Sequence, residues 1–484
     1  MPARAALPTL AFAASAFLAG CASMSGLVPE ASLRDVNTLA TQRTLANTTV
    51  SSAAWPKDDW WKAFKDAQLD ALMDEALAGS PTLNIAAART RKAFAAADVS
   101  KSSLLPRVDG SVSSTRQRYS EHGVAPPPLG GSTQVLNQLQ ATLAWEIDFW
   151  GKNRSAYEAT LGAAHAAEVD AYAARLALST NLAQAYVQLQ RAYLQLDVAA
   201  ATLEEREQIY ALTRDRNLAG IDSRLELKQA ESALPATREQ IAQLNERIAL
   251  TRNQLAALMG EGPDRGLAIA RPAASALTTV ALPSTVPAEL LGRRPDVIAQ
   301  RWRVEAARED IAAAKAAFYP NVNLLAFVGL QSLGGGNLLT AASRTIGAGP
   351  AITLPIFGAG RLRANLAGKD ADHDIAVEQY NQTLADAMRD VVDQLASFRS
   401  VDEQRTQQVA ALATAREAYD LALLRYREGL GNYLQVLSAE QPLLAQQSLD
   451  ADLHARELEL SINLIRALGG GYDPSPALAT LNLQ

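Results

Sequence analysis

The sequence holds a single cysteine, Cys21, so no disulfide can form within the chain. Aromatic residues make up only 6% of the 484 residues, and the formal net charge of −6 gives no general attraction to nucleic acid or anionic lipid. Beyond residue 20, no stretch approaches the roughly 20 consecutive apolar residues that a membrane-spanning helix needs. Any further crossing of a membrane must therefore use strands.

The sequence also lacks the usual signatures of catalysis. It contains no P-loop, nucleophile elbow or dinucleotide-binding fingerprint. Of the four scattered histidines, only His373 has close carboxylates, at Asp370, Asp372 and Asp374. On a helix Asp372 and His373 face away from the other two, so a metal or acid–base site is not expected. We predict no enzyme activity, no metal and no cofactor, and a chain without an ATP site does not power transport.

What the chain does carry is the same architecture twice. A helical stretch framed by prolines at 81–106 recurs, at the same spacing, at 295–320. The turns at Gly220 and Gly429 recur at an offset of 209 residues, together with much of the sequence that follows them. A repeat of this length predicts a duplicated fold whose elements line a symmetric object.

Two long helical patterns without proline follow the strands, at about 151–219 and 358–428. The other helices are shorter, so we expect two short helices stacked end to end beside each long one, in a wall about 100 Å tall. A 3–4 spacing of apolar residues over Ile241–Leu258 predicts a coiled-coil seam that Tyr419 and Tyr426 continue on a partner helix. An ordinary solid helical bundle is the alternative.

Four segments alternate apolar and polar residues, as two-faced strands do. They lie at about 107–119, 133–149, 321–331 and 344–356, two in each repeat. A soluble sandwich would show the same alternation, but these lengths suit the roughly 9–11 residues of a tilted transmembrane strand. Because four strands cannot close a pore, we expect three chains to share a twelve-stranded barrel.

The N-terminus has the layout of an export signal. Residues 1–20 combine the cationic Arg4 with an apolar run over Leu10–Leu18, and Leu-Ala-Gly directly precedes Cys21. This arrangement resembles the bacterial lipoprotein processing site, which implies that Cys21 becomes an acylated, palmitate-bearing N-terminus. The non-acidic Ala22 implies, by the same resemblance, sorting to the outer membrane. A chance cysteine in an ordinary signal peptide is the alternative.

The chain thus divides into five predicted segments. These are a signal peptide (1–20), a lipid-anchored extended segment (21–61), a first repeat (62–270), a second repeat (271–470) and a C-terminal tail (471–484).

Several short motifs join this layout. They are the helix-to-strand transitions at Leu105-Pro106 and Tyr319-Pro320, LPIFGAGR at 354–361, RYREGLGNYLQVLSAEQ at 425–441 and ALGGGY at 467–472. With the lipoprotein site, they resemble the TolC/OprM-type outer-membrane efflux lipoproteins of the NodT family over nearly all of the mature chain. The resemblance implies a mainly α fold with a membrane β-barrel part. Its duplicated helix-strand-strand-helix repeat would form a trimeric α-barrel continued by a twelve-stranded β-barrel, with four strands from each chain.

The same resemblance implies a function. The chain would be the outer-membrane channel of a tripartite, RND-type efflux system, passively exporting small molecules such as drugs from periplasm to exterior. Its implied partners are two further copies in a homotrimer, a periplasmic adaptor protein, an inner-membrane RND-type transporter and outer-membrane lipid, but no nucleic acid. It would be lipid-anchored in the outer membrane of a Gram-negative bacterium and extend into the periplasm.

The turns between paired helices resemble the periplasmic tips that the adaptor grips in this family. Glycine permits the left-handed turn, and Asp222 or Asn432 can cap the helix that follows. A plain helix-hairpin turn explains these residues equally well, but not the exposed leucines and arginine just beyond them. The predicted adaptor-contact residues are Gly220, Asp222, Arg224, Leu225, Gly429, Asn432 and Leu434.

Related channels often carry acidic rings on the helix after the second turn. The matching positions here are Gln435 and Ser438, so an aspartate ring is not expected. We predict that the periplasmic gate closes through Arg425, Tyr426, Gln435 and Ser438, with Glu226 as the sole candidate for an acidic ring.

Two other classes of protein compete with the channel. A non-conducting periplasmic coiled-coil scaffold or surface lipoprotein would leave the four alternating strands unexplained. A lipoprotein enzyme would lack a catalytic constellation. Conductance in a planar bilayer separates the channel from the scaffold.

Overall fold

The computed structural model describes residues 23–35, 55–273, 293–334, 336–355 and 358–473. The predicted signal peptide and Cys21 lie outside the described residues. The helices are α1 (Ala67–Gly79), α2 (Pro81–Ser102), α3 (Lys152–Leu218), α4 (Arg224–Met259), α5 (Pro263–Leu267), α6 (Pro295–Ala316), α7 (Ala359–Arg427) and α8 (Tyr433–Ala467). The strands are β1 (Arg107–Arg118), β2 (Thr133–Ile147), β3 (Asn321–Leu333) and β4 (Arg344–Thr353). Short 3₁₀ helices lie at Trp60–Phe64 and Ala341–Ser343.

The helices come in matched pairs. Helices α2 and α6 have 22 residues each, and both begin at a proline. Proline suits this position because the N–H groups of the first turn have no partner within the helix, so the one that proline lacks is not missed. Helices α3 and α7 have 67 and 69 residues, and α4 and α8 have 36 and 35. Among the described residues, none of the helices combines the length and the apolar content needed to cross a membrane.

The four strands form one antiparallel sheet in the order β1-β2-β3-β4. Each begins at the residue from which the sequence predicts a strand and ends within three residues of the predicted end. The central pairing of β2 with β3, in which Leu139 lies opposite Leu330, joins the two repeats. Strands β1 and β4 are therefore the edges of the sheet.

One face of this sheet is a continuous set of apolar and small side chains. The register brings one row across all four strands, Gly110 beside Ala141, Val328 and Ile346. Two members of that row are largely exposed, Val328 at 58% and Ile346 at 83%. The opposite face is mostly polar. The sheet therefore presents an uncovered apolar face.

The described chain forms two compact units, and each takes segments from both repeats. The described part of the first unit consists of residues 23–33, 89–167 and 300–381 without 335, 356 and 357, and it contains the sheet. Its core is formed by Ile311, Ala314, Phe318, Leu362 and Leu366, with Met24 and Leu27 packed against them. The predicted repeats are continuous segments of sequence, whereas each compact unit combines segments of both repeats. The repeat boundaries therefore stay a prediction.

The N-terminal segment of the first unit is tied to α7 by its backbone. The N–H groups of Glu30 and Ala31 donate to the carboxylate of Asp374, with N to Oδ1 distances of 3.0 and 2.9 Å. The amide of Asn381 donates to the carbonyl of Ser32 at 3.1 Å. Burial opposes ionisation of Asp374, but these N–H donors bring its pKa below the ordinary value. The carboxylate beside His373 thus holds the chain's N-terminal segment.

The described part of the second unit consists of residues 34–35, 55–88, 168–273, 293–299 and 382–473. Its largest core gathers side chains from α1, α3, α4 and α8 around the buried Trp60 and Trp61. A separate core lies near the helix turns. It consists of Ile209, Ala230, Tyr419, Tyr426, Tyr433, Val436 and Leu443.

The predicted 3–4 spacing marks the buried face of α4, but this face and the tyrosines of α7 lie in different cores. Ile248 and Leu255 of α4 belong to the large core, whereas Tyr419 and Tyr426 belong to the core near the turns. The physical reason is that α1 packs onto the C-terminal part of α4, so that apolar face is shared among several helices.

Candidate functional site

The two helix turns of the second unit have the same backbone. Gly220, with φ +74°, follows α3, and Gly429, with φ +75°, follows α7. These are left-handed conformations, which glycine adopts at little cost. The N–H after each glycine donates to the carbonyl five residues earlier, at 2.9 Å for Ile221 and 2.8 Å for Leu430. This is the Schellman arrangement that ends a helix and reverses the chain.

The helices that return from the turns are capped by different residues. Ser223 caps α4 by accepting from the N–H of Leu225 at 3.1 Å, and its own N–H donates to Oε2 of Glu226 at 2.9 Å. Asn432 caps α8 by accepting from the N–H of Gln435 at 3.1 Å. The prediction that Asn432 is a cap is confirmed. The prediction that Asp222 is one is wrong, because the serine after it takes that place.

Asp222 turns instead toward α3 and α7. Its carboxylate accepts from Arg216 Nε at 2.9 Å and Nη2 at 3.3 Å, and from the hydroxyl of Tyr426 at 2.6 Å. The side chains of Arg216 and Asp222 are only 11% and 7% exposed. Burial by itself would raise the pKa of Asp222, but the hydrogen bonds from Arg216 and Tyr426 lower it below the ordinary value. The carboxylate is therefore ionised and paired at neutral pH.

Tyr426 joins the two hairpins close to their turns. It is fully buried, and its hydroxyl lies 2.8 Å from Thr213 Oγ1 on α3 as well as near Asp222. Arg216 Nη1 donates to its backbone carbonyl at 2.9 Å, and the guanidinium carbon lies 4.6 Å from the ring centroid. Burial, followed by the hydrogen bond to Asp222, raises the pKa of Tyr426 to about 12. The hydroxyl thus stays protonated and donates.

A second buried ion pair lies farther from the turns. Arg206 of α3 binds both carboxylate oxygens of Glu440 of α8, at 2.8 and 3.0 Å, and also donates to Thr237 of α4 at 2.8 Å. The two side chains are 13% and 5% exposed. Sequence reasoning missed this pair because its members are 234 residues apart and no local pattern marks them.

The turns themselves expose apolar side chains. Leu225 is 65% exposed and Leu434 is 56% exposed, and the turn residues Ile221 and Leu430 reach 63% and 70%. Arg224, the first residue of α4, is also exposed. These exposed residues form an accessible, mainly apolar surface, which we call the tip surface. It consists of Ile221, Arg224, Leu225, Leu430, Asn432 and Leu434.

The predicted gate residues do not form one cluster within the chain. Tyr426 is buried with Arg216 and Asp222, whereas Gln435 and Ser438 are exposed. Arg425 is exposed and donates to the carbonyl of Leu430 at 3.3 Å. The carboxylate of Glu226 is engaged in the cap of α4, and its hydrogen bond from Ser223 lowers its pKa. Arg216, Asp222 and Thr213 are the partners of Tyr426 that the sequence did not indicate as a set.

These turns, the duplicated long helices and the four-stranded sheet define the class of protein. The model of the outer membrane efflux protein family matches residues 72–261 and 286–470, so the chain belongs to that family. It is an outer-membrane efflux channel. Channels of this family form trimers and work within tripartite efflux systems.

Particular relatives agree with this assignment. The chain is 42% identical over 362 residues to the fusaric acid resistance protein FusA of Burkholderia cepacia, covering 74% of this chain and 68% of that protein. It is 33% identical over 437 residues to the multidrug resistance outer membrane protein MdtP of Escherichia coli K12, covering 89% of each. Among solved structures, the outer membrane protein VceC of Vibrio cholerae aligns with a TM-score of 0.81 at 35% identity, covering 86% of this chain and all of that one.

Among the described residues, no group of three or more histidine, cysteine or acidic side chains is arranged to hold a metal ion. The family and the similar structures are channels rather than enzymes.

Proposed function

We propose that three copies of this chain form a passive exit duct, which a periplasmic adaptor connects to an inner-membrane RND-type transporter. The observation that carries this proposal is the sheet with two unpaired edges, because β1 and β4 each have a neighbour on one side only. Four strands are too few to close around a pore, whereas three sheets joined edge to edge give twelve.

The uncovered face of the sheet supports a place in the membrane. Val112 and Ile346 are 78% and 83% exposed, and Val108 and Val328 on the same face are 65% and 58% exposed. An exposed apolar face of this kind is unfavourable in water and suits the hydrocarbon region of a bilayer. Lipid would be its partner, and acylation of Cys21 would add a second attachment.

The tip surface is the proposed site of adaptor contact. Ile221, Leu225, Leu430 and Leu434 expose apolar area at two turns of the same backbone form, with Arg224 beside them. Exposed apolar residues grouped in this way mark protein–protein contacts. Because both turns are alike, an adaptor could make similar contacts at each of them.

Closure of the periplasmic end is proposed to depend on two sets of residues. Tyr426, bound to Thr213 and Asp222, holds the two hairpins of one chain together. Arg425, Gln435 and Ser438, together with Glu226, would line the constriction between copies. Among these four residues only Glu226 carries a carboxylate, and the cap of α4 engages it.

The exported compounds are proposed to be small organic molecules. The names of the relatives mention fusaric acid resistance, multidrug resistance and pyoverdine export. The duct itself would need only a wide, hydrated passage, and selection would fall to the inner-membrane transporter.

Complementation of a bacterial strain that lacks its own channel tests this function. Cells that express this chain with its adaptor and transporter should export a fluorescent drug, and the double variant Leu225→Glu and Leu434→Glu should not. Leu267→Glu, at a leucine of α5 that is 72% exposed, is the matched control and should export normally. Equal export by the tip variant and the natural chain would contradict adaptor contact at the turns. A chain that never restores export would favour the non-conducting scaffold.

A further inference from the structure

The apolar face of the sheet carries charge of one sign only. Within the four strands, its charged side chains are all arginines, namely Arg116 and Arg118 on β1 and Arg344 on β4. We call these three residues the arginine patch. The two carboxylates of the strands, Asp109 and Glu146, lie on the opposite face. The charge that the strands place on the apolar face is therefore entirely positive.

The arginine patch lies at the end of the sheet that is remote from the helices. Arg116 and Arg118 are the last residues of β1 on this face, close to the loop that leads to β2, and Arg344 is the first residue of β4. Apolar residues of the same face follow towards the helices, where Val112 and Ile346 are 78% and 83% exposed. In the proposed duct the helices lie in the periplasm, so the arginine patch faces the exterior of the cell.

The register places these arginines beside apolar side chains of the same face. Arg344 lies opposite Leu330, and Arg116 lies opposite Val135. Ile346 is two residues from Arg344, about 7 Å at 3.4 Å per residue. An arginine on a lipid-facing surface is costly in the middle of the hydrocarbon but not near its edge, where its long stem covers apolar surface and its guanidinium reaches the polar boundary. The arginine patch therefore marks the depth of the lipid head groups.

Two of the three guanidinium groups have no partner in the part of the chain that the structure describes. Arg116 and Arg344 are exposed, and neither side chain makes an ion pair or a hydrogen bond with another described residue. Arg118 pairs with Glu121 at 3.1 Å, but the two side chains are 68% and 64% exposed, and a pair exposed to that extent is weak. The patch is thus positive although the whole chain has a formal net charge of −6.

Phosphate is the anion that fits this patch. A guanidinium presents a planar fork of N–H donors that matches two oxygens of one phosphate, whereas lysine offers only a point charge. Clusters of basic residues at a membrane surface attract the anionic head groups of lipids. A phosphate-bearing lipid also brings acyl chains, which can cover the exposed Val112 and Ile346. A free phosphate ion cannot do this, so a lipid is the occupant that matches both the charged and the apolar part of the face.

We propose that the arginine patch binds the phosphate groups of lipid in the outer leaflet of the outer membrane, while the acyl chains of that lipid lie on the apolar face. This inference rests on the proposed duct, from which it takes the orientation of the sheet, and adds the lipid chemistry that is recognised at its outer rim. Because β1 and β4 are the edges of the sheet, a barrel of three sheets brings Arg344 of one copy to the same junction as Arg116 and Arg118 of the next. Each of the three junctions then offers one lipid site.

Native mass spectrometry of the full-length, detergent-purified protein tests this proposal, because one spectrum counts both the copies and the bound lipids. The natural chain should bind diphosphoryl lipid A, a glycolipid with two phosphates, about tenfold more tightly than the dephosphorylated glycolipid. The double variant Arg116→Gln with Arg344→Gln should lose this preference. Arg107→Gln is the matched control and should keep it, since Arg107 is a 76% exposed arginine of β1 on the opposite face.

The outcomes separate this proposal from the duct on which it rests. A conducting trimer of the natural chain that binds both glycolipids equally would overturn the proposal and leave the duct standing, and this comparison needs no variant. Equal lipid binding by the natural chain and the double variant, or an equal loss in the Arg107→Gln control, would also overturn it. Displacement of the lipid by inorganic phosphate at the same concentration would exclude lipid as the occupant. A monomer that gives no current steps in a planar bilayer would overturn the duct and this inference with it.

Discussion

Removing one hydroxyl, in Tyr426→Phe, is expected to loosen the periplasmic end of the channel. The hydroxyl donates to the buried carboxylate of Asp222 at 2.6 Å and lies 2.8 Å from Thr213 Oγ1. A hydrogen bond to a charged group contributes about 1.5–3 kcal/mol, and each 1.4 kcal/mol changes an equilibrium constant tenfold. The ratio of closed to open channels should therefore fall by about 10- to 150-fold. Phenylalanine keeps the ring in its core, so the effect should be specific to closure.

Single-channel recording in a planar bilayer measures this change as open probability. Tyr433→Phe is the matched control, because Tyr433 belongs to the same core, with its ring 6.2 Å from that of Tyr426. Its hydroxyl has no hydrogen-bond partner among the described residues, so its loss should leave open probability near that of the natural channel. If both variants behave alike, the reasoning that hydrogen bonds of Tyr426 hold the tip closed is refuted.

Three further predictions concern the stability of the hairpins. The pKa of Asp222 is lowered, so its contribution to the free energy of unfolding is present in full above the ordinary pKa of 3.8 and is lost as pH falls through the folded-state pKa. Chemical unfolding at a series of pH values should show this loss of stability, and Asp222→Asn should abolish the pH dependence. Ser223→Ala should cost about 1 kcal/mol of local stability through the lost cap, seen as faster hydrogen exchange in the first turn of α4 and refuted by unchanged exchange. Glu440→Ala leaves Arg206 buried without its partner and should cost about 3–5 kcal/mol in chemical unfolding, whereas Glu231→Ala, at the equivalent exposed position, should cost little; equal losses would contradict the assignment.

The parts of the fold that the sequence predicts are those specified by local signals. Prolines at 81 and 295 mark the starts of α2 and α6, and left-handed glycines at 220 and 429 mark the ends of α3 and α7. The strands follow from alternation, which is a property of each segment by itself. The pairing of β2 with β3 is not local, because it joins strands from different repeats.

The site could be predicted only in part, for the same reason. The glycines, the cap at Asn432 and the exposure of the tip leucines follow from neighbouring residues. The role of Asp222 does not, since its partner Tyr426 lies 204 residues away and Ser223 takes the capping role that the position of Asp222 suggests. Charge and helix position alone cannot tell a cap from a buried ion pair.

The repeat carries more information than either half alone. Arg216 and Arg425 occupy equivalent positions, but Asp222 corresponds to Gly431 and Tyr426 corresponds to Asn217. The network that joins the two hairpins of one chain therefore has no equivalent at the opposite side of each hairpin. Duplication sets the architecture, and the differences between the copies decide which contacts are strong.

Single-channel conductance of the full-length, detergent-extracted protein in a planar bilayer tests the central claim most directly. A passive outer-membrane duct predicts discrete current steps across a bilayer that contains no other protein and no energy source. A correctly folded, trimeric protein that produces no current steps, even as Tyr426→Phe, would contradict the account and leave the scaffold as the remaining function.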